Sequence, residues 1–188
     1  GRQIVAGNFL FAGHLVEAPG LDIWDIPAPD VTFTAELHGF GWLDDLAALG
    51  DFAAFERARG WTFEWIERFG RGSGPGWTPD LTGRRVLRWI SNSVALLNGQ
   101  DEAQTAAFFA SLCRQITFLA RRWAAAAPGL PRFEALVGLL CAAVSINGME
   151  RRIAPAARAL GRECHLRIGA EGGIPSRNPE ELLEVFTL

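Results

Sequence analysis

From residue 41 onward, apolar side chains recur every three or four residues, and glycine or proline interrupts this pattern at short intervals. Such spacing places apolar groups along one side of an α-helix, so it predicts a series of amphipathic helices. Six or seven helices joined by short loops are expected to pack as antiparallel helical hairpins. The predicted helices cover residues 42–49, 51–69, 80–97, 100–127, 132–147, 149–166 and 178–188.

Two of these helices differ in how far their apolar character extends around the helix. Residues 132–147 are apolar on nearly all sides, which is typical of a helix buried between others. Residues 100–127 carry arginines opposite an apolar face that includes Phe108 and Leu119, which suits an outer layer. We therefore predict an all-α fold of layered hairpins, as in a toroid or solenoid, rather than a four-helix bundle. The sequence has no fixed-period repeat.

The first forty residues lack a helical pattern, because glycine and proline interrupt every short apolar segment. We predict that residues 1–40 form an extended N-terminal arm lying across a helical body. A short strand is predicted within this arm at Val31 to Phe33. The helical domain is then predicted over residues 41–188.

Length, composition and charge narrow the class of protein. The chain has 188 residues, is 49% hydrophobic and carries a formal net charge of −3. These values indicate about one domain with its own core and exclude intrinsic disorder. All 18 basic residues are arginine and are balanced by 21 acidic residues, so no nucleic-acid partner is expected. The longest apolar run, Ala135 to Ile146, is too short to span a bilayer, so no membrane span is predicted.

The sequence contains no complete motif for metal, phosphate or nucleophile chemistry. Cys113, Cys141 and Cys164 are widely spaced and read as buried thiols, and Cys164 adjoins His165 without a second ligand pair. We therefore predict no metal and no cofactor. The glycine-rich segment 70–76 lacks the lysine of a phosphate-binding loop and follows a helix, so a flexible interhelical loop is expected. No Gly-x-Ser-x-Gly elbow is present, and the catalytic residues remain unknown.

Tryptophan and arginine concentrate near the loops of the predicted helical domain. Indole faces can stack on sugar rings, and guanidinium groups pair with carboxylates or sulfates through two parallel hydrogen bonds. The combination would suit an acidic saccharide, whereas the alternative is that the indoles pack in the core and the arginines are solvated. The residues concerned are Trp42, Trp77, Trp89, Arg84, Arg85 and Arg88.

Three segments resemble the N-terminal helical region of the heparinase II/III family of polysaccharide lyases. Glu36 to Leu43 resembles the family's early Leu-His/Asn-x-Phe-x-aromatic-Leu segment. Trp77 to Ile90 resembles its Trp-x-Pro-Tyr…Arg…Asn-Trp-Ile segment, and Gly172 to Pro179 resembles its Asp-Gly-Gly-His…Arg-Ser-Pro segment. The three matches follow the family order and cover most of the chain. The resemblance implies an incomplete α/α toroid, truncated here before a C-terminal β-sandwich region.

The resemblance also implies β-elimination on a uronic-acid polysaccharide, which requires a base, an acid and a group that neutralises the uronate. The family's Asn-His pair falls near Ala127 and Pro128, and its tyrosine falls at about Glu181, so no catalytic role is carried over. What the resemblance does imply is a substrate-binding surface, with Arg85 and Arg177 contacting a carboxylate or sulfate. Its residues are His38, Trp42, Trp77, Arg85, Trp89 and Arg177.

These observations favour the N-terminal α/α domain of a bacterial heparinase II/III-like protein, whose full-length form acts on an acidic polysaccharide or oligosaccharide. The 188-residue piece alone is expected to be inactive. The alternative is a non-catalytic helical domain that binds a glycan or another protein. The isolated piece is also expected to self-associate, because the unfinished toroid would expose apolar surface. The compartment stays open between periplasm and cytoplasm.

Overall fold

A computed structural model describes residues 1–176 and 178–188, and its described residues are mainly helical. The all-α prediction is therefore confirmed. A single antiparallel hairpin of two short strands accompanies the helices in the part of the chain that is described. The elements are α1 (Arg2–Val5), β1 (Asn8–Phe11), β2 (His14–Glu17), α2 (Val31–Gly39), α3 (Gly41–Ala47), α4 (Phe52–Phe69), α5 (Pro79–Ser91), α6 (Ser93–Leu97), α7 (Glu102–Arg122), α8 (Leu130–Ser145), α9 (Ile153–Arg167) and α10 (Pro179–Thr187).

The chain forms two compact units. The first unit comprises residues 1–77 and 88–114, and the second comprises residues 78–87 and 115–188. The predicted division into an arm over residues 1–40 and a helical domain after it stays a prediction. Helix α1 lies within the predicted arm, and α2 begins at Val31, ten residues before that predicted boundary.

The N-terminal arm contains regular structure that the sequence pattern did not reveal. Strands β1 and β2 pair in antiparallel register, with Phe11 opposite His14. The turn between them uses positive φ at both Ala12 (49°) and Gly13 (81°), as a two-residue type I′ hairpin turn requires. Phe9 is buried with its ring 6.1 Å from that of Trp61, so the hairpin packs on α4.

The strand predicted at Val31 to Phe33 is wrong, because these residues open helix α2. The Asp30 side chain caps the helix by accepting the backbone N–H of Phe33 at 2.8 Å. Phe33 and Leu37, four residues apart, are both buried and hold this helix against the core.

Helix α4 carries much of the core of the first unit. Asp51 caps it by accepting the Ala54 N–H at 2.7 Å. Its buried face is formed by Ala54, Ala58, Trp61, Thr62 and Trp65, at the three- and four-residue steps of a helix. The helix thus presents two indoles to the interior.

The core of the second unit forms around α8, which is buried along most of its length. Helix α9 packs against α8, and Arg132 of α8 donates to Glu163 of α9 at 2.9 Å. Helices α5 and α8 approach through their backbones at Gly83 and Gly138, where a Cβ on Gly138 would lie only 2.4 Å from the Gly83 carbonyl oxygen. None of the described helices combines the length and apolar character needed to cross a bilayer.

Candidate functional site

The six residues predicted to bind a saccharide are distributed over both units. His38, Trp42, Trp77 and Trp89 belong to the first unit, whereas Arg85 belongs to the second. Arg177 lies outside the described residues.

Trp42 and Trp89 are completely buried within an aromatic cluster of the first unit. Both pack on Phe40, whose ring centroid lies 4.6 Å from that of Trp42 and 5.6 Å from that of Trp89. The Trp42 indole N–H donates to the Leu37 carbonyl at 3.0 Å, whereas the buried Trp89 indole nitrogen has no acceptor among the described residues. Their indole faces are covered by neighbouring rings. We define the aromatic cluster as Trp24, His38, Phe40, Trp42, Trp65, Phe69, Trp77, Trp89 and Phe108.

His38 is a buried member of this cluster. The Trp65 indole N–H donates to His38 Nδ1 at 3.0 Å, so neutral His38 carries its proton on Nε2. A Cβ at Gly76 would lie 2.7 Å from His38 Nδ1, which shows how closely the glycine-rich loop covers the imidazole. His38 therefore contributes packing and a hydrogen-bond acceptor to the core.

Trp77 ends the glycine-rich loop and is half-buried. Its indole N–H donates to the Phe69 carbonyl at 2.8 Å, and its ring stacks on Trp65 with centroids 6.1 Å apart. The loop predicted over residues 70–76 is therefore anchored at its C-terminal end by the aromatic cluster.

Arg85 is buried in the second unit. Its Nε–H donates to Gln115 Oε1 at 2.7 Å, and one of its Nη groups contacts the Thr82 hydroxyl at 3.4 Å. Burial lowers the pKa of the Arg85 guanidinium to about 9, because the charged form loses its hydration. The saccharide-binding role of the predicted residues stays a prediction, and the burial of His38, Trp42, Arg85 and Trp89 does not support it.

Three carboxylates of the first unit lie close enough to share a cation. One oxygen each of Asp22, Asp25 and Glu64 lies within 4.8 Å of the others. Arg68 already bonds to Asp25 at 2.6 Å and to Glu64, and the bond to Asp25 lowers the pKa of that carboxyl. Burial and the neighbouring Asp22 raise the pKa of Glu64. The three carboxylates therefore form a salt-bridge network in which the Arg68 guanidinium supplies the positive charge.

A cleft of about 770 Å³ in the first unit was not anticipated from the sequence. Phe52 and Val94 line it with 79% and 85% of their surfaces exposed. Phe52 is the first residue of α4. We call this feature the apolar cleft. Its lining also includes Ala47, Phe55, Glu56, Arg59, Asn92, Ala95 and Gln100.

A second cleft, of about 670 Å³, lies in the second unit. It is lined by three arginines and several apolar side chains, and we call it the arginine cleft. The three arginines lie up to eleven positions apart in the sequence and form no recognisable motif. The sequence alone therefore does not predict this cleft. The residues that define it are Trp123, Met149, Arg151, Arg152, Pro155 and Arg162.

Comparison with known proteins shows what this chain is similar to. No family model matches it, and no solved structure matches it. The chain is 29% identical over 187 residues to FtsZ-localized protein C of Caulobacter vibrioides. The alignment covers 99% of this chain and 32% of that protein, so the chain spans about a third of the relative's length.

The prediction of a polysaccharide lyase is wrong. The similarity runs along nearly the whole chain to a protein named for its localisation with FtsZ, not to an enzyme that acts on glycans. Residues that guided the lyase prediction, such as Trp42 and Trp89, serve instead as core packing. The sequence alone does not distinguish a tryptophan that fills a core from one that stacks on a sugar.

Proposed function

We propose that this chain is a helical protein-interaction domain that acts in bacterial cell division, at the site marked by FtsZ. The observation that carries the proposal is the 29% identity to FtsZ-localized protein C, which extends over 99% of the chain. An alignment of that extent covers both compact units rather than one shared motif.

The apolar cleft supports a role in binding another protein. Exposed apolar side chains grouped around a concavity mark interaction surfaces on soluble proteins. Phe52 and Val94 supply such side chains, and Arg59 and Glu56 form an ion pair in the same lining. An apolar anchor with a polar surround is the usual composition of a protein interface. The occupant that we propose is an apolar segment of a protein in the FtsZ assembly.

Imaging of a fluorescent fusion in Caulobacter vibrioides tests the proposal. The fusion of this chain should concentrate where FtsZ concentrates, and it should disperse when FtsZ is depleted. A fusion that stays uniformly distributed in dividing cells, at normal FtsZ levels, would contradict the proposal.

A matched pair of valine substitutions tests the apolar cleft. Val94→Ser removes an apolar contact from the cleft, and Val31→Ser removes an equally exposed valine outside it. Loss of one buried valine contact costs about 1.5 kcal/mol of binding free energy, or about tenfold in affinity. We expect Val94→Ser to reduce the fraction of fusion at the FtsZ site and Val31→Ser to leave it unchanged. Equal effects of the two substitutions would argue against the cleft.

At the level of fold, we propose that the helical hairpins belong to an incomplete α/α toroid. The hairpin of α8 and α9, with α8 buried along most of its length, supports the layered arrangement. The likeness of three segments to the heparinase II/III family stays a prediction of this fold and carries no activity. A crystal structure of this protein tests it, since a toroid requires successive hairpins in one curved double layer.

A further inference from the structure

The arginine cleft is large enough to hold a small molecule. Its volume of about 670 Å³ falls within the range of roughly 300–1,000 Å³ for ligand sites. The cleft lies entirely in the second unit and is bordered by residues of α7, α8 and α9. Trp123, Met149 and Pro155 contribute apolar lining, with an indole that remains partly exposed.

The arginines of this cleft carry positive charge that the side chains of its lining do not neutralise. Arg151, Arg152 and Arg162 form no ion pair with any carboxylate in the described part of the chain. No acidic residue lines the cleft either. Arg132 of the same unit, by contrast, pairs with Glu163. Three like charges grouped around one concavity repel each other, and a bound anion would relieve that repulsion.

The start of helix α9 adds to the positive potential. Arg151 and Arg152 immediately precede this 15-residue helix. No side chain caps its first turn, and no acidic residue lies within that turn. The neighbouring Glu150 directs its carboxylate to the Gly148 N–H at 3.0 Å. The dipole of α9 acts in the same sense as the arginines, and the Glu150 carboxylate, which bonds Gly148 of the cleft lining, offsets part of this potential.

We propose that the arginine cleft binds a small phosphate-bearing molecule that also carries a flat aromatic group, the chemistry of a nucleoside phosphate. Guanidinium groups match phosphate oxygens through paired hydrogen bonds, which is why three unpaired arginines favour this anion. The Trp123 indole supplies a surface on which a base stacks. This inference is independent of the proposed role in cell division.

Calorimetric titration of the 188-residue chain tests the ligand class. The probes are ATP, GTP, inorganic pyrophosphate and adenosine. We expect both nucleotides to bind. Pyrophosphate and adenosine should bind at least about tenfold more weakly, because pyrophosphate lacks the aromatic base and adenosine lacks the phosphates. Nucleotide affinity no better than that of pyrophosphate would overturn the aromatic part of the proposal. Absence of binding by all four probes would overturn it entirely.

Variants on and beside the cleft test its location. Arg152→Gln combined with Arg162→Gln should weaken nucleotide binding about tenfold or more. Arg158→Gln is the matched control, because Arg158 is an exposed arginine of α9 outside the cleft lining. Trp123→Leu should weaken nucleotide binding and leave pyrophosphate binding unchanged. An equal loss in Arg158→Gln would reveal a general charge effect and would overturn the assignment.

Lipid headgroups are the other source of phosphate, and vesicles distinguish them. Phosphatidylglycerol vesicles are mixed with the chain, and co-sedimentation is measured for the parent and for the Arg152/Arg162 double variant. We expect no vesicle binding that depends on these two arginines. Arginine-dependent binding to vesicles, without binding to nucleotides in solution, would replace the proposal with a lipid surface.

Discussion

Glu134 shows how burial sets the chemistry of a single side chain in the second unit. It is only 5% exposed, and its carboxylate accepts a hydrogen bond from Arg84 at 2.5 Å. Burial raises the pKa of Glu134 to about 7, and the nearby Arg84 only partly opposes that rise. The folded protein therefore holds a proton on this group at pH values where the unfolded chain has released it.

We predict a specific dependence of stability on pH from Glu134. Because its pKa is higher in the folded state, its contribution makes the free energy of unfolding fall as pH rises from about 4.5 to about 7. The contribution amounts to about 3–4 kcal/mol at most, since each unit of pKa shift corresponds to about 1.4 kcal/mol. Glu134→Gln removes the titrating group, so unfolding measured by urea at several pH values should show a shallower decline.

The matched control is Glu171→Gln, which replaces an exposed carboxylate of the same unit. It should preserve the parent's decline in stability between about pH 4.5 and pH 7. If Glu134→Gln declines as steeply as the parent does, then Glu134 ionises normally in the folded protein and the burial argument is wrong.

Side-chain chemistry was the part of the molecule least accessible from the sequence. Because indoles stack on sugars, the sequence predicts that Trp42 and Trp89 bind a saccharide, yet the same large apolar surface drives them into the core. The resemblance predicts that Arg85 contacts a carboxylate or sulfate, but Arg85 donates to Gln115, thirty residues away. Contacts across such separations depend on how helices pack, and a periodic pattern carries no information about them.

Backbone contact between α5 and α8 is made possible by two glycines. A Cβ on Gly83 would lie 2.2 Å from the Glu134 carbonyl oxygen, and a Cβ on Gly138 would meet the Gly83 backbone. Both clashes involve main-chain atoms, which cannot rotate away as a side chain does. No residue larger than glycine therefore fits at Gly83 or Gly138 without a shift of the helix backbones.

We predict that Gly138→Ala destabilises the protein by about 1–3 kcal/mol, the usual cost of overpacking a tightly packed contact. Gly161→Ala is the matched control, because Gly161 lies in α9 with no atom near the position of its missing Cβ. That substitution should stabilise the protein by up to about 1 kcal/mol, since alanine favours helices over glycine. Thermal unfolding compares the stabilities of the two variants with that of the parent. If Gly138→Ala is at least as stable as the parent, the close backbone contact between α5 and α8 is wrong.

Helices were predictable where their apolar spacing was long and unbroken. The predictions over residues 51–69 and 132–147 match α4 and α8 to within two residues at each end. Helix α2 was missed because its first residues are β-branched and aromatic, and its start depends on the Asp30 cap. The hairpin was missed because its turn places Ala12, a residue without glycine's freedom, at positive φ.

We expect copies of the whole molecule to self-associate. Helix α10 exposes the apolar side chains that would mediate the contact. Leu183 and Phe186 lie three residues apart on α10, on the same side of the helix, and both are more than 60% exposed. Adjacent exposed apolar side chains favour association of copies. The small formal net charge of −3 offers little repulsion against it.

We predict that the chain self-associates in a concentration-dependent way, and that replacing Leu183 and Phe186 by serine weakens association about tenfold or more. Sedimentation velocity over a range of concentrations measures this. Val144→Ser, which removes a similarly exposed residue of α8, is the control and should associate as the parent does. A strictly monomeric parent at high concentration would show that α10 does not mediate contact between copies.

The aromatic cluster gives the molecule a built-in optical reporter. Trp65 lies with its ring centroid 5.6 Å from that of Trp89 and stacks on Trp77, so these chromophores couple electronically while the first unit is folded. Emission from the buried indoles should be shifted to short wavelength, and far-ultraviolet circular dichroism should carry an exciton couplet from the coupled indoles. Both signals vanish when the rings separate, so unfolding of the first unit can be followed without an attached dye.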